Sequence, residues 1–368
     1  MTCPFRLSAI PNLRAPVSMA SISFPVLSFS HSSTARGLVG SQVTRYSPFP
    51  IVEGLTFFNR TLNFCAASPR RILDAGSRRV RAIRAESPQE KEEPMLPPYN
   101  VLITGSTKGI GYALAKEFLR AGDNVLICSR SAERVESAVK CLKEEYGDHH
   151  VWGTVCDVRV GKDVEALVSF ARDKLKYIDI WINNAGSNAY SYKPLAETSD
   201  DDLMEVVTTN TLGLMICCRE AIKMMLTQPR GGHVFNVDGA GSDGRPTPRF
   251  AAYGATKRSV VHLTKSLQAE LQMQDIKNVM VHNLSPGMVT TDLLMSGATT
   301  KQAKFFINIL AEPPEVVAAY LVPCIRSVPM SRAKKPTYIR FLTGLKAYSQ
   351  IFSRLAFGAR RNKYLVED

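Results

Sequence analysis

Asn100-Val-Leu-Ile-Thr-Gly-Ser-Thr-Lys-Gly-Ile-Gly111 reads as a buried strand, a glycine turn and the first turn of a helix. Val101, Leu102 and Ile103 form a continuous apolar run, as a strand covered on both faces requires. Ile110, Ala113, Leu114, Phe118 and Leu119 then recur at helical spacing. Between the two, Gly105, Gly109 and Gly111 let the backbone turn tightly and let a ligand approach it. The amides at a helix start, with the positive end of the helix dipole, suit a pyrophosphate. A glycine turn alone is a common structural device. With a strand before it and a helix after it, this one nominates Thr104, Gly105, Thr107, Lys108, Gly109, Ile110 and Gly111 as a dinucleotide cradle.

Downstream the pattern repeats. Asn124 to Cys128 is a second strand, ending in Ser129 and Arg130. An acid at that place binds a free ribose 2′-hydroxyl and a basic residue suits a 2′-phosphate, so Arg130 with Lys108 favours NADPH, with NADH as the alternative. The plainer reading of both cations is solvated surface charge. Ala132 to Tyr146 reads as a helix, and Val151 to Val155 as a third strand with Asp157 and Val158 at its adenine end. Val164 to Leu175 is again helical, and Ile178 to Ile182 is a fourth strand running into Asn183-Asn184-Ala185-Gly186, which otherwise reads as a loop of Asx turns. One helix is expected from Asp201 to about Met225, with Asn210 as its polar exception, and further strands at His233 to Val237 and Val279 to Leu284. After the last of these come Pro286, Gly287 and Val289, with Thr290 or Thr291 placed to hold a nicotinamide carboxamide. Ser296 to Ile309 is expected to be a mobile lid hinged at Gly297. Such alternation predicts an α/β fold: one doubly wound parallel sheet of the Rossmann type, helices on both faces, ligands at the carboxyl ends of the strands.

Phe250-Ala-Ala-Tyr253-Gly-Ala-Thr-Lys257 opens a helical period that continues through Val260, Val261, Leu263, Leu267 and Leu271. Tyr253 and Lys257 therefore leave one face near a helix start. The ammonium is expected to favour the phenolate and draw the phenol down from its usual value of about 10, making Tyr253 an acid or base for catalysis. Taken alone, Tyr-x-x-x-Lys is an ordinary amphipathic helix.

Composition divides the chain unevenly. Residues 1–84 hold eleven arginines, no lysine, twelve serines and only two acids, Glu53 and Asp74. That is the composition of an organellar transit peptide, cleaved near Val80 to Ala85, with serine content favouring the chloroplast over the mitochondrion. The leader accounts for nine of the thirteen net positive charges, so the basic balance does not argue for a nucleic-acid partner. Residues 85–98 read as a linker, 99–335 as one catalytic domain and 336–368 as a C-terminal extension. Cys128, Cys141, Cys156, Cys217, Cys218 and Cys324 lack metal or disulfide spacing and are expected to be reduced thiols. No metal site is expected, and no run is long and apolar enough for a transmembrane helix.

Thr104 to Gly111, Asn183 to Gly186, Asn210, Tyr253 with Lys257, and Pro286-Gly287 together resemble the classical short-chain dehydrogenase/reductase family over about Tyr99 to Asp292. His233-Val-Phe-Asn-Val-Asp-Gly-Ala-Gly-Ser242, with the plastid-type leader, is most similar to the plant chlorophyll(ide) b reductases. The resemblance implies NADPH-dependent reduction of the 7-formyl group of chlorophyll b or chlorophyllide b, with Tyr253 as proton donor. It further implies that Lys257 tunes Tyr253 and binds the nicotinamide ribose, and that Asn210 orders a water. Asn184, Ala185 and Gly186 join the cofactor residues on the same ground. One position departs from the family: where a serine normally holds the substrate carbonyl, this sequence has Asp238 or Gly239; Ser242, the nearest hydroxyl, is the catalytic candidate if the loop folds it back toward Tyr253, with a water or a backbone amide as the alternatives.

In the extension, Tyr338 to Leu342 is expected to add a seventh strand, and Leu345, Tyr348, Ile351, Phe352 and Leu355 recur at helical spacing among Lys346, Arg354, Arg360, Arg361 and Lys363. Such a helix either docks on the core or lies on a thylakoid membrane or a pigment-protein antenna. The enzyme is expected to be peripheral, on the stromal side, and a homo-oligomer or a hetero-oligomer with a related reductase. Two other readings stay open: another plastid carbonyl reductase, acting on a thioester ketone, and a non-catalytic nucleotide-binding subunit.

Overall fold

The computed structural model describes residues 95–331 and 335–367; the expected leader and the linker up to residue 94 lie outside the described residues. Seven parallel strands form one sheet: β1 (Asn100–Thr104), β2 (Asn124–Ser129), β3 (Val151–Val155), β4 (Ile180–Asn183), β5 (Gly232–Val237), β6 (Val279–Ser285) and β7 (Tyr338–Arg340). Their order across the sheet is β3-β2-β1-β4-β5-β6-β7, so the strand order reverses between β1 and β4 and leaves a crevice at the carboxyl ends there. Every residue of β1, β4 and β5 is buried; β1 accordingly reads as an apolar run through Val101, Leu102 and Ile103, while β5 buries His233 against His282 and Asn236 against Thr264.

The helices are α1 (Gly109–Arg120), α2 (Ala132–Tyr146), α3 (Gly161–Leu175), α4 (Asp200–Val207), α5 (Leu214–Leu226), α6 (Ala251–Met273), α7 (Asp292–Met295), α8 (Lys301–Leu310), α9 (Pro314–Met330) and α10 (Gly344–Phe357). Two cores flank the sheet. Leu114 and Phe118 of α1, Leu142 of α2 and Leu321 and Ile325 of α9 pack on one face with Val101, Ile103 and Phe235. Leu167 of α3, Cys217 and Met224 of α5 and Val260 and Leu271 of α6 pack on the other with Leu102, Trp181 and Val234. At about 1.5 to 3 kcal/mol for each large apolar side chain removed from water, these two layers supply the main stabilising term.

Three local departures from the expected elements have physical causes. The single helix expected from Asp201 to Met225 is interrupted by a π-helical stretch, Thr208–Gly213, centred on Asn210. A π turn takes an extra residue into the helix path without ending the helix, so no stop signal marks it in the sequence. The stretch expected to be a mobile lid is anchored in its second half, where Ile307, Asn308 and Ile309 of α8 are buried. Gly297 lies against Phe250, where an added Cβ would stand 2.6 Å from the ring, so the glycine there permits close packing. The seventh strand forms, shortened to Tyr338–Arg340, and pairs with Asn283 to Ser285 of β6. Among the described residues the six expected thiols are free cysteines, and no helix is long and apolar enough to cross a membrane.

Candidate active site

The glycine turn and the Asn183–Gly186 loop are locked together at the β1–β4 crevice. The Thr104 hydroxyl accepts the amides of Asn184 and Ala185, both at 3.1 Å, and the Asn184 side-chain amide donates to the carbonyls of Thr104 at 3.0 Å and Gly105 at 2.9 Å. Gly105 and Gly109 have φ of 62° and 58°, the left-handed region that glycine adopts without strain. A Cβ on Gly111 would stand 2.4 Å from the Asn184 amide nitrogen and 2.6 Å from the Gly105 carbonyl oxygen, so this position needs glycine for the turn itself. Helix α1 begins at Gly109 with no side-chain cap, leaving its first amides facing the crevice. Ile110 and Thr107 are half-buried beside them. These features fit a dinucleotide pyrophosphate. Thr291 comes to the same place from the far side of the site, its methyl 3.2 Å from where a Gly109 Cβ would lie. The exposed Lys108 ammonium bridges the Tyr190 hydroxyl at 3.0 Å and Asp292 at 2.9 Å. Gly287, at φ 73°, packs against Leu342, and Val289 pairs with Glu312, which holds the Pro286–Thr291 loop to the start of α9.

At the adenosine end the structure adds an acid that strand β2 does not contain. Arg130 forms an ion pair with Glu205 of α4 at 3.1 Å, and Arg159 joins Glu205 at 2.6 Å to Asp157 at 2.6 Å. Burial works against the Asp157 carboxylate, but the Arg159 guanidinium holds it below the usual range. Val158 is buried against Gly213 of the π segment. Arg159 and Glu205 were not among the sequence candidates, because Glu205 lies on a helix far along the chain with no periodic signal of its own.

Asn210 is a hub of the site. Its side-chain oxygen accepts the Ser187 amide at 2.8 Å, and its side-chain amide donates to the Ser187 carbonyl at 2.8 Å and the Thr256 hydroxyl at 3.1 Å. The Thr256 hydroxyl in turn donates to the Tyr253 carbonyl at 2.7 Å. Asn210 thereby ties the Asn183–Gly186 loop to the turn of α6 that carries Tyr253. Both of its amide hydrogens are used, and its side-chain oxygen keeps one acceptor position beside the bond from Ser187. Gly186 lies between Asn210 and Lys257, its Cβ position 3.4 Å from one and 3.5 Å from the other.

Tyr253 and Lys257 share the expected face of α6. The Lys257 ammonium donates to the Val237 carbonyl at 3.1 Å and lies 5.7 Å from the Tyr253 ring centre. A Cβ on Gly239 would stand 2.5 Å from the Tyr253 hydroxyl, so the phenol rests on the backbone just past β5. The electrostatics differ from the expectation. Burial raises the Tyr253 phenol well above its usual value and the Asp238 charge raises it further, while burial lowers Lys257 to about 8. Desolvation of the half-buried phenol leads, and the charge that acts on it is Asp238, not Lys257.

Ser242 is buried. Its carbonyl accepts from Arg258 at 2.8 Å, and its hydroxyl faces Asp238 and Tyr338. Outside the crevice Tyr192 packs on Phe250 with ring centres 4.7 Å apart, and Phe250 stands 6.3 Å from Tyr253, forming an aromatic wall beside the phenol.

In the extension, three of the five expected cations are paired within the fold. Arg354 pairs with Glu367, and Arg360 and Lys363 with Glu312 at 2.5 and 3.0 Å. Asn308 clasps the last residues, accepting from the Tyr364 and Leu365 amides and donating to the Leu365 carbonyl. The apolar face of α10 is left in solvent: Leu345, Tyr348, Phe352 and Leu355 are 83, 70, 65 and 73% exposed.

Against known proteins, the short chain dehydrogenase family model matches residues 99–302. The chain is 79% identical over 304 residues to the chloroplastic chlorophyll(ide) b reductase NOL of Oryza sativa subsp. japonica, covering 81% of this chain and 89% of that one. It is 80% identical over 278 residues to the protein of the same name from Arabidopsis thaliana, covering 76% and 80%. Among solved structures, a point variant of actinorhodin polyketide ketoreductase with NADPH superimposes with a TM-score of 0.58 at 26% identity, over 68% of this chain and 99% of that one. The family match takes in the glycine turn, the Asn183–Gly186 loop and the α6 face that the sheet brings to one rim, and the chain belongs to the short chain dehydrogenase family.

Proposed function

We propose that this chain is an NADPH-dependent oxidoreductase of the chloroplast that reduces the 7-formyl group of chlorophyll b or chlorophyllide b to the 7-hydroxymethyl group. The observation that carries this reading is the high identity, 79 and 80%, to two chlorophyll(ide) b reductases across the domain that holds Tyr253 and Lys257. The aromatic wall of Tyr192 and Phe250 beside Tyr253 offers a stacking surface to a flat macrocycle. For the nucleotide, Arg130 and Arg159 are the cations within reach of a 2′-phosphate, which would replace Glu205 between them.

NADPH, when bound, supplies the hydride to the formyl carbon. Tyr253, kept protonated by burial, donates its proton to the emerging alkoxide oxygen. Lys257 holds positive charge next to the phenolate that remains and binds the nicotinamide ribose. Asn210 ties down the loop after Gly186 through Ser187 and would order the water that returns the proton. Asn184, Ala185 and Gly186 would wall the cofactor, and Thr291 would hold its carboxamide. An aldehyde is more electrophilic and less hindered than a ketone, so it needs less activation of its oxygen.

Incubation of the full chain with NADPH and chlorophyllide b is expected to yield 7-hydroxymethyl chlorophyllide a with one nucleotide oxidised per pigment, and NADH to support a slower reaction. Turnover of acetoacetyl thioester in place of the pigment would put the chain with other plastid carbonyl reductases. Turnover of neither, alone or with a related reductase added, would leave a nucleotide-binding subunit.

We also infer that α10 rests on the stromal surface of the thylakoid, where a phytylated pigment or an antenna complex is met. Its exposed apolar face supports this; the paired state of Arg354, Arg360 and Lys363 means that charge contributes little. Binding to liposomes of thylakoid lipid is therefore expected to survive roughly 0.5 M salt, where surface attraction is screened. The double variant F352S/L355S is expected to lose most of it. Point substitution is preferable to deleting the extension, because residues 360–367 clamp Asn308 and Glu312. Binding by the double variant equal to that of the unaltered protein would remove the idea.

A further inference from the structure

At the adenosine end, four charged side chains from three stretches of the chain meet. Arg130 follows β2, Asp157 and Arg159 follow β3, and Glu205 lies in the last turn of α4. In a doubly wound sheet the end of β2 is where the adenosine ribose is read, so an anion held by Arg130 stands where a 2′-phosphate would. Lys108, the cation of the glycine turn, is engaged instead by Tyr190 and Asp292. The charges of Arg130, Arg159, Asp157 and Glu205 cancel.

The two carboxylates hold the arginines differently. Asp157 accepts from Nε of Arg159 at 3.0 Å, from its Nη2 at 2.6 Å and from its backbone amide at 3.0 Å, a forked pairing that fixes the guanidinium. Glu205 takes what remains: Nη1 of Arg159 at 2.6 Å, and Nη1 of Arg130 at 3.1 and 3.3 Å. Each guanidinium therefore gives Glu205 a single nitrogen. The side chains of Glu205, Arg159 and Arg130 are 24, 33 and 54% exposed. Ion pairs this open to solvent add little net stability, and a carboxylate that leaves them is taken up by water. Its departure would leave Nη1 of both arginines unoccupied, with Arg159 still oriented by Asp157.

We propose that Glu205 is the specificity-determining residue for the nucleotide: its carboxylate accepts the free 2′-hydroxyl of NADH and opposes the 2′-phosphate of NADPH, which must displace it from Arg130 and Arg159. The inference rests on the proposed place of the 2′-phosphate at these two arginines. An acid that strand β2 lacks is thereby supplied from α4.

The asymmetry follows from charge. A hydroxyl is neutral and donates its hydrogen to the carboxylate without moving it. A phosphate brings negative charge to a cluster already balanced, so it gains the arginines only after Glu205 gives them up. Its oxygens then form charge-assisted bonds to both guanidinium groups, stronger than the single-nitrogen contacts they replace. Glu205 accordingly narrows the preference for NADPH without reversing it.

The test is binding alone, on the full chain without pigment. Glu205→Gln keeps the shape of the side chain and removes its charge. NADPH, followed by its fluorescence, is expected to bind the variant roughly fivefold more tightly, the worth of the two open ion pairs it no longer breaks. NADH is expected to bind about threefold more weakly, because a neutral amide oxygen is a poorer acceptor than a carboxylate. Calorimetry with 2′,5′-ADP and 5′-AMP should repeat the rise for the first ligand without the nicotinamide, which places the effect at the adenosine end. A carboxylate that merely oriented the arginines would give the opposite sign for NADPH. Should the Gln variant fail to fold, Glu205→Asp, its charge drawn back by one methylene, is expected to shift both nucleotides in the same directions by smaller factors. Weaker or unchanged NADPH binding in the variant that folds, or an equal change for both nucleotides, overturns the proposal. Arg130→Leu separates this from the nucleotide reading itself: NADPH binding equal to that of the unaltered chain would mean that the 2′-phosphate is read elsewhere.

Discussion

Tyr253→Phe is expected to lower formyl reduction by about 100-fold or more, the usual worth of a positioned proton donor, while NADPH affinity stays within about threefold. The two readouts separate because the Tyr253 hydroxyl faces the Gly239 backbone, whereas the proposed pyrophosphate cradle is the turn of Gly105, Gly109 and Gly111. The phenyl ring retains its contact with Phe250, so the wall beside the substrate stays intact. Stopped-flow oxidation of NADPH with chlorophyllide b, alongside nucleotide fluorescence, measures both. More than a tenth of the original turnover in the variant would assign the proton to another group.

Lys257→Met is expected to move activity and stability in opposite directions. Turnover should fall roughly 100-fold, because the phenolate left after proton transfer loses its counter-charge. Without nucleotide, however, the variant should melt higher at pH 7. Burial lowers Lys257 from 10.5 to about 8, so the folded protein binds fewer protons than the unfolded one between those two values. Stability therefore rises with pH through that window, and below about pH 8 the native lysine carries the full cost of a buried ammonium. Removing it should stabilise the nucleotide-free protein at pH 7 by about 2 to 3 kcal/mol, after allowance for the lost bond to the Val237 carbonyl. The advantage should shrink steadily toward pH 10.5. Thermal melts at neutral and alkaline pH decide the matter: a lower melting point for the variant at pH 7 would mean that the ammonium contributes to the fold instead of opposing it.

The fold was legible because its signals are local. The buried parallel strand Asn100–Thr104 shows itself by its apolar run Val101, Leu102 and Ile103, and a glycine turn between strand and helix leaves few alternatives. The same holds for Tyr253 and Lys257, placed on one face by helical periodicity alone. Less was readable where a group's state depends on partners remote in the chain. The partner of Arg130 is Glu205, on a helix that packs against the adenosine end only after the sheet is assembled. Lys363 and Arg360 look like membrane-facing cations until Glu312 is brought beside them. The π stretch at Thr208–Gly213 left no trace in the apolar pattern, although it places Asn210 between Ser187 and Thr256.

By itself the chain of residues determined a Rossmann-type sheet, a glycine cradle for a dinucleotide and a tyrosine–lysine pair at its rim, since each is written in spacings of a few residues that steric and hydrophobic rules decode. Only the tertiary structure decided what charge that pair works in. Tyr338 lies 100 residues from Asp238 along the chain and reaches it only because β7 closes the sheet beside β6. Desolvation is a property of the assembled interior, set by everything that packs around a group, and no stretch of sequence carries it.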